Sequence, residues 1–321
     1  MIDSINFIIK DVYNLDFDYL KAIGIKLKMF QTEKNNGFII SGYYFKYKNV
    51  DFTFYVATSK VEVKTNTHKL LNKEDITLSD MKEYQIRLNQ IIAEVFNGHN
   101  VKLKIIRLDY YVDIMLMEKT MKLYLNLYRL YNPKFGRMIR KKSYETSVYR
   151  QNKRGQYNLN IYSRFERTKM VKDKNVLRLE LQMKKAKIKR ELNKYGITDE
   201  LENYWSIDGM QKYYFDFLVD FFGSGPHRRL KDAKKIIAES DCFKTYKEKL
   251  KKFLEDISIE IDDRELVKSK KYSAPTVRRY KQMLSDLGIN TLCVSRITNN
   301  IEALPNLLDL AKEKAERDYF K

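Results

Sequence analysis

Histidine and cysteine are scarce in this chain of 321 residues: His68, His99 and His227 are its only histidines, and Cys242 and Cys293 its only cysteines. The histidines are far apart in sequence, which removes histidine-rich metal ligation and argues against a serine or cysteine triad. Two distant cysteines exclude a disulfide framework and a cysteine-rich zinc site, and a reducing cytoplasm is the expected compartment. Long apolar runs are missing too. The most apolar later stretch, Tyr213 to Phe222, is interrupted by Asp216 and Asp220, so no segment is expected to span a bilayer, and the start of the chain lacks a signal-peptide layout. No internal repeat or low-complexity tract is visible.

Positive charge is what the chain has in excess. Lys and Arg number 62 against 42 Asp and Glu, a net charge of +20 that concentrates polyanions around the protein, and nucleic acid is the leading partner. The hydrophobic share of 44%, with 13% aromatic residues, is ample for folded cores, and the length suits two domains.

Periodicity divides the chain. Residues 5–9 read as a first strand, 15–24 as a helix stopped by Gly24, and 37–48 and 52–64 as strands joined at Lys48-Asn-Val-Asp51. An amphipathic helix is expected over 79–97, ended by Gly98, and another over 118–130. Three further stretches alternate strictly. In 104–114, Arg107, Asp109, Tyr111 and Asp113 share one face; in 156–164, Gln156, Asn158, Asn160, Tyr162 and Arg164 do; in 175–182, Arg178, Glu180 and Gln182 do. A short strand at 145–149 makes a hairpin with the Tyr162 strand through Asn152-Lys-Arg-Gly155. Beyond residue 184 the pattern is charged and helical, with helices expected at 184–194, 208–222, 228–238, 242–256, 275–286 and 306–318. The expected fold is therefore α+β, an antiparallel β-sheet with helices packed on one face in residues 1–200, followed by a mainly helical domain in 201–321.

If the alternating strands share one sheet, their polar faces bring together Glu62, Lys64, Arg107, Asp109, Tyr162, Arg164, Arg178 and Glu180. Taken singly, such charges are most often cross-strand ion pairs, and one tyrosine of 24 is most often a packing residue. Their conjunction mid-strand, flanked by aliphatic residues, fits phosphodiester chemistry. Carboxylates from separate strands (Asp109, Glu180 and Glu62) can hold Mg²⁺ or Mn²⁺, while Lys64, Arg107 and Arg178 offset charge growing on phosphate and a tyrosine oxygen can attack phosphorus. Asp113 and Glu166 lie nearer strand ends. For DNA contact, Arg140, Lys141, Lys142, Arg150 and Arg154 surround the hairpin before the Tyr162 strand, with Tyr144 and Tyr149 available for stacking, and Asn158, Asn160 and Arg164 flank the tyrosine. A capped helix beginning near Ser273 and Pro275 offers Arg278, Arg279 and Lys281 to duplex DNA.

Several motifs follow one another in a telling order: Met1-Ile-Asp3, Val61-Glu-Val-Lys64, Ile106-Arg-Leu-Asp109, Ser147-Val-Tyr149, Ile161-Tyr162, Leu177-Arg-Leu-Glu180, and Thr276-Val-Arg-Arg-Tyr280 through Leu287-Gly-Ile-Asn290. In that succession the chain resembles the filamentous-phage gene II replication endonucleases, themselves similar to plasmid rolling-circle initiators that lack the paired metal-binding histidines. The resemblance implies a metal-dependent nickase and strand transferase. Tyr162 would cut one strand at a replication origin, keep the 5′ phosphate covalently and leave a 3′ hydroxyl to prime synthesis, then rejoin the strand after a round of copying. It also implies acidic site residues at Asp109 and Glu180 and the Glu-x-Lys strand at Glu62 and Lys64. The family's Gly-His-Asn after that strand is not matched by Asn72-Lys-Glu-Asp75. Expected partners are the origin, as duplex and single strand, and host replication proteins such as a helicase; the oligomeric state is left open, a dimer included. The rival readings are a conjugative relaxase with the same chemistry and a non-enzymatic origin-binding or regulatory DNA-binding protein.

Overall fold

In the computed structural model, the described residues are all except 13–14, 34–36, 131–136, 139–145, 152–155, 197, 261–262, 295–302 and 321. In chain order the elements are β1 (Ile2–Ile9), α1 (Phe17–Ala22), β2 (Lys28–Glu33), β3 (Ile39–Tyr47), β4 (Val50–Tyr55), β5 (Lys60–Asn66), α2 (Thr67–Leu71), α3 (Met81–Val95), β6 (Lys104–Met115), α4 (Glu118–Leu130), β7 (Arg137–Met138), β8 (Ser147–Gln151), β9 (Tyr157–Ser163), α5 (Arg164–Thr168) and β10 (Val176–Lys184). Then come α6 (Lys185–Tyr195), α7 (Ile207–Met210), α8 (Asp216–Phe222), β11 (His227–Arg228), α9 (Leu230–Glu239), α10 (Lys244–Glu260), α11 (Asp263–Lys268), α12 (Ala274–Asp286), β12 (Ala303–Leu304) and α13 (Leu307–Asp318). The fold is α+β. Strands β1 to β10 lie within the chain as far as residue 184, and the later part is mainly helical.

Two compact units are present, one of residues 1–111, 180–210 and 316–321, the other of 112–179 and 211–315. They interleave along the chain and so divide it differently from a cut at residue 200.

In the first unit, antiparallel pairing runs β2–β3–β4–β5–β1–β6. Period-2 patterning sorts its faces. Val50, Phe52 and Phe54 of β4 and Val61 and Val63 of β5 are buried, whereas Asp51, Thr53, Tyr55, Lys60, Glu62 and Lys64 alternate with them on a face that keeps contact with solvent. Burial of each large apolar side chain contributes about 2 kcal/mol. The strand expected over 52–64 is in fact two, because the chain turns through a 3₁₀ segment at Val56–Thr58 and Ser59 takes a left-handed φ of 46°. The outer strand β2 was not expected, since its residues are mostly exposed and carry no alternation.

In the second unit, β7–β8–β9 pair antiparallel and α4 packs on β8 and β9. A separate apolar cluster joins α9 to α12 through Ala233, Ile237, Leu250, Phe253, Leu254, Leu266, Val277, Tyr280 and Leu284. His227 bridges further parts of this unit, with Tyr128 Oη 2.6 Å from Nε2 and the Leu292 carbonyl 3.0 Å from Nδ1. Burial lowers its pKa to about 4, so it is a neutral packing residue. No helix among the described residues is long and apolar enough to cross a membrane.

Candidate active-site residues and DNA-contacting surfaces

Cross-strand register builds the site in the first unit. Lys46, Asp51, Lys64, Asn6 and Arg107 stand level on β3, β4, β5, β1 and β6, and Asn66, Ser4 and Asp109 form the next level. These residues line a concavity of about 230 Å³ whose cations, Lys46, Lys64, Lys69 and Arg107, outnumber Asp51 and Asp109. Asp109 is 3% exposed and is held at both oxygens by Arg107, Nε to Oδ1 at 2.8 Å and Nη2 to Oδ2 at 2.6 Å. Even so its pKa is raised to about 6: burial is the largest cause, Arg107 opposes it, and the charges of Glu180 and Asp3 add to it. Asp109 and Glu180, both expected at the site, are therefore within electrostatic reach of each other.

Asp3 joins them unforeseen as a site residue. The β1–β6 register shifts between Ile2 and Ser4, an irregularity at Asp3 of the kind that re-aims a side chain. Ser4 Oγ donates to its carboxylate at 2.9 Å, and His68 Nε2 lies 3.8 Å away. Glu62 is not brought to this group. It sits four residues before Asn66 on β5 and accepts from Tyr55 Oη at 3.2 Å and Asn6 Nδ2 at 3.4 Å, with Lys64 Nζ 3.8 Å away.

Among the described residues, no group of three or more His, Cys, Asp or Glu side chains is placed to hold a metal ion. Mg²⁺ sites often take only one or two carboxylates and complete their shell with water and substrate phosphate. The oxygen donors of Asp109, Glu180 and Asp3, with burial holding the Asp109 carboxyl near pH 6 and the other two charges adding to it, suit such a cation in donor type and in charge.

Tyr162 lies in the second unit, on β9 opposite Ser147, and is 8% exposed. Arg167 Nη1 donates to its phenol oxygen at 2.7 Å, and the guanidinium carbon stands 5.3 Å from the ring centre. Arg167 was not anticipated. The available signal was its place five residues after Tyr162, on the short helix α5 that follows the strand.

Arg164 opens α5 instead of continuing β9. It donates to Asp113 at 2.7 Å and lies 3.2 Å from Asp173, while Arg178 grips Asp113 with Nε at 2.7 Å and Nη2 at 2.8 Å. Arg178 and Arg164, expected to face phosphate, are thus held in a charge-balanced cluster, and both arginines help hold the Asp113 pKa below the usual range against the effect of burial.

The expected DNA-contacting residues separate into three groups. Arg140, Lys141, Lys142 and Arg154 lie outside the described residues. Arg150 is 1% exposed and donates to the carbonyls of Tyr128 at 3.0 Å and Arg129 at 3.4 Å, at the C-terminal end of α4, where a cation is favoured. Arg150 is therefore not the phosphate contact that the sequence suggests, because alternation places it with Val148 on the buried face of β8. Asn158 is buried and Asn160 half-buried, whereas Arg278 and Arg279 are exposed and Lys281 half-buried on α12, whose N-cap Ser273 accepts from Thr276 N at 3.3 Å.

No family model matches the chain, and no curated protein matches it. Among solved structures it is similar to a rolling circle replication initiator protein from Geobacillus stearothermophilus at 13% identity, over 60% of this chain and 77% of that chain, with a TM-score of 0.34.

Proposed function

We propose that the chain is a rolling-circle replication initiator that nicks and rejoins one DNA strand through Tyr162. The observation that carries this reading is the Arg167 bond to the Tyr162 oxygen. A guanidinium donating to a phenol oxygen stabilises negative charge there, which is what an oxygen nucleophile must develop. In the reaction the Tyr162 oxygen forms a bond to phosphorus and its proton leaves to solvent. The bond from phosphorus to the 3′ oxygen breaks, and that oxygen takes up a proton as a 3′ hydroxyl. Rejoining reverses the exchange.

Lys64 and Arg107 bind phosphate oxygens in the groove. Asp109 and Glu180 would hold Mg²⁺ or Mn²⁺, which when bound polarises a phosphate oxygen. Arg278 and Arg279 on α12 contact the duplex origin, so that residues 1–200 carry the nicking groups and residues 201–321 the duplex-binding helix.

The test is a denaturant-resistant protein–DNA species after incubation with an origin single strand and Mg²⁺ or Mn²⁺. It should form with the wild type and be absent in Tyr162→Phe. An adduct that persists in Tyr162→Phe moves the nucleophile elsewhere, first to Tyr157 or Tyr149. No adduct with any single strand leaves a non-enzymatic DNA-binding protein.

A further inference from the structure

The solvent-facing side of β2–β5 carries rings as well as charges. Register places Lys28 beside Tyr44, Phe30 beside Gly42, and Gly42 beside Tyr55, so Phe30, Tyr44 and Tyr55 share the face that holds Lys46 and Lys64. Tyr44 is 37% exposed, and Phe30 and Tyr55 are half-buried. Such residues on a strand's outer face usually form packed cross-strand pairs. Here two of the rings are fixed through their hydroxyls: Tyr44 Oη donates to Asp51 at 2.8 Å and Tyr55 Oη to Glu62 at 3.2 Å. The third is fixed by the absence of a side chain, since a Cβ on Gly42 would come within 2.9 Å of the Phe30 ring. Phe30 and Tyr55 meet edge to face with ring centres 6.0 Å apart.

Rings fixed at their edges and interleaved with lysines match the chemistry of an unpaired strand, which offers π-faces on one side and phosphates on the other. A duplex buries its base faces and cannot use the rings. Along the same face, the level formed by Lys46, Asp51, Lys64, Asn6 and Arg107 leads from Tyr44 toward Asp109.

We propose that the open face of β2–β5 is a stacking platform for single-stranded DNA, with bases on Phe30 and Tyr44, phosphates on Lys28 and Lys46, and the strand running on toward Asp109. This rests on the replication reading for its purpose but not for its test. The measurement is fluorescence anisotropy of a labelled oligothymidylate with the full chain in EDTA, which suppresses metal-dependent cleavage. Tyr44→Ala should weaken single-strand binding about tenfold, the scale of one lost base stack, while Tyr44→Phe, which keeps the ring and loses only its bond to Asp51, should weaken it far less. Lys46→Gln should lower the slope of log affinity against log salt by about 0.7. Unchanged duplex binding by Tyr44→Ala shows that the chain is still folded.

Equal binding by Tyr44→Ala and wild type overturns the platform, as does an equal loss in Tyr44→Phe, which would assign the effect to the hydroxyl and Asp51. The two proposals fail separately. A tenfold loss in Tyr44→Ala from a protein that forms no covalent adduct keeps the platform and removes the nickase. An adduct with unaltered Tyr44→Ala binding does the reverse.

Discussion

Asp109 and Asp113 stand four residues apart on β6, both largely withdrawn from water, yet their surroundings treat the negative charge in opposite ways. Asp109 meets one arginine and two further carboxylates, and burial holds its pKa near 6. Asp113 receives bonds from Arg164 and Arg178, and its pKa is lowered. The difference shows that burial alone does not set the charge of a carboxylate. At Asp113 the guanidiniums of Arg178 and Arg164 outweigh the cost of burial, whereas at Asp109 burial outweighs Arg107 and the charges of Glu180 and Asp3 add to it.

The largest effect that would break this comparison is on stability. Asp113→Asn takes the carboxylate from buried Arg178 and one of the two carboxylates that Arg164 meets, and should cost about 4 kcal/mol in urea unfolding, the scale of breaking a buried pair. A cost under about 1 kcal/mol would mean that the arginines find other partners and that the cluster is not a structural anchor.

A slightly smaller effect concerns pH. Between about pH 4 and pH 6 the folded chain keeps a proton on Asp109 that the unfolded chain has released. The contribution of this group to stability therefore falls as pH rises through that window, by about 3 kcal/mol in all. Subtracting the pH profile of Asp109→Asn from that of the wild type isolates this contribution, and a flat difference would remove the contrast with Asp113. The sign is opposite for Asp113, whose contribution is present above the unfolded value near pH 4 and is lost as pH falls through its lowered folded value.

Third, Asp109→Asn or Glu180→Gln should reduce strand cleavage about a hundredfold or more, with DNA binding near normal. Normal nicking by both would clear these carboxylates of any role in the reaction. The smallest change sharpens the comparison from a distance. Arg278→Gln on exposed α12 should weaken duplex binding a few-fold and lower its salt slope by about 0.9, while leaving the titration of both aspartates untouched.

Much of the fold was legible because period-2 and period-3.6 patterns report burial directly. The strands at 104–115 and 176–184 and the helices at 81–95, 118–130 and 274–286 fall where those patterns lie. β2 escaped because an exposed edge strand has no buried face to write an alternation. Of the site, the levels of Lys64, Arg107 and Asp109 were legible as strand faces. Arg150 belongs to a basic run that looks like a surface, although its phase with Val148 puts it inside. Arg167 was out of reach, since the turn from β9 into α5 that returns it to Tyr162 is not a periodic feature.

The sequence by itself determined the charge that draws polyanions, the α+β order of elements and which residues share a strand face, because these follow from composition and from the repeat of the backbone. Only the tertiary structure decided which charges are already satisfied. Asp109 and Asp113 share a phase on one strand and look alike in sequence. Burial makes both carboxylates harder to ionise; at Asp113 the guanidiniums from β10 and α5 overcome it, and at Asp109 the carboxylates from β1 and β10 add to it.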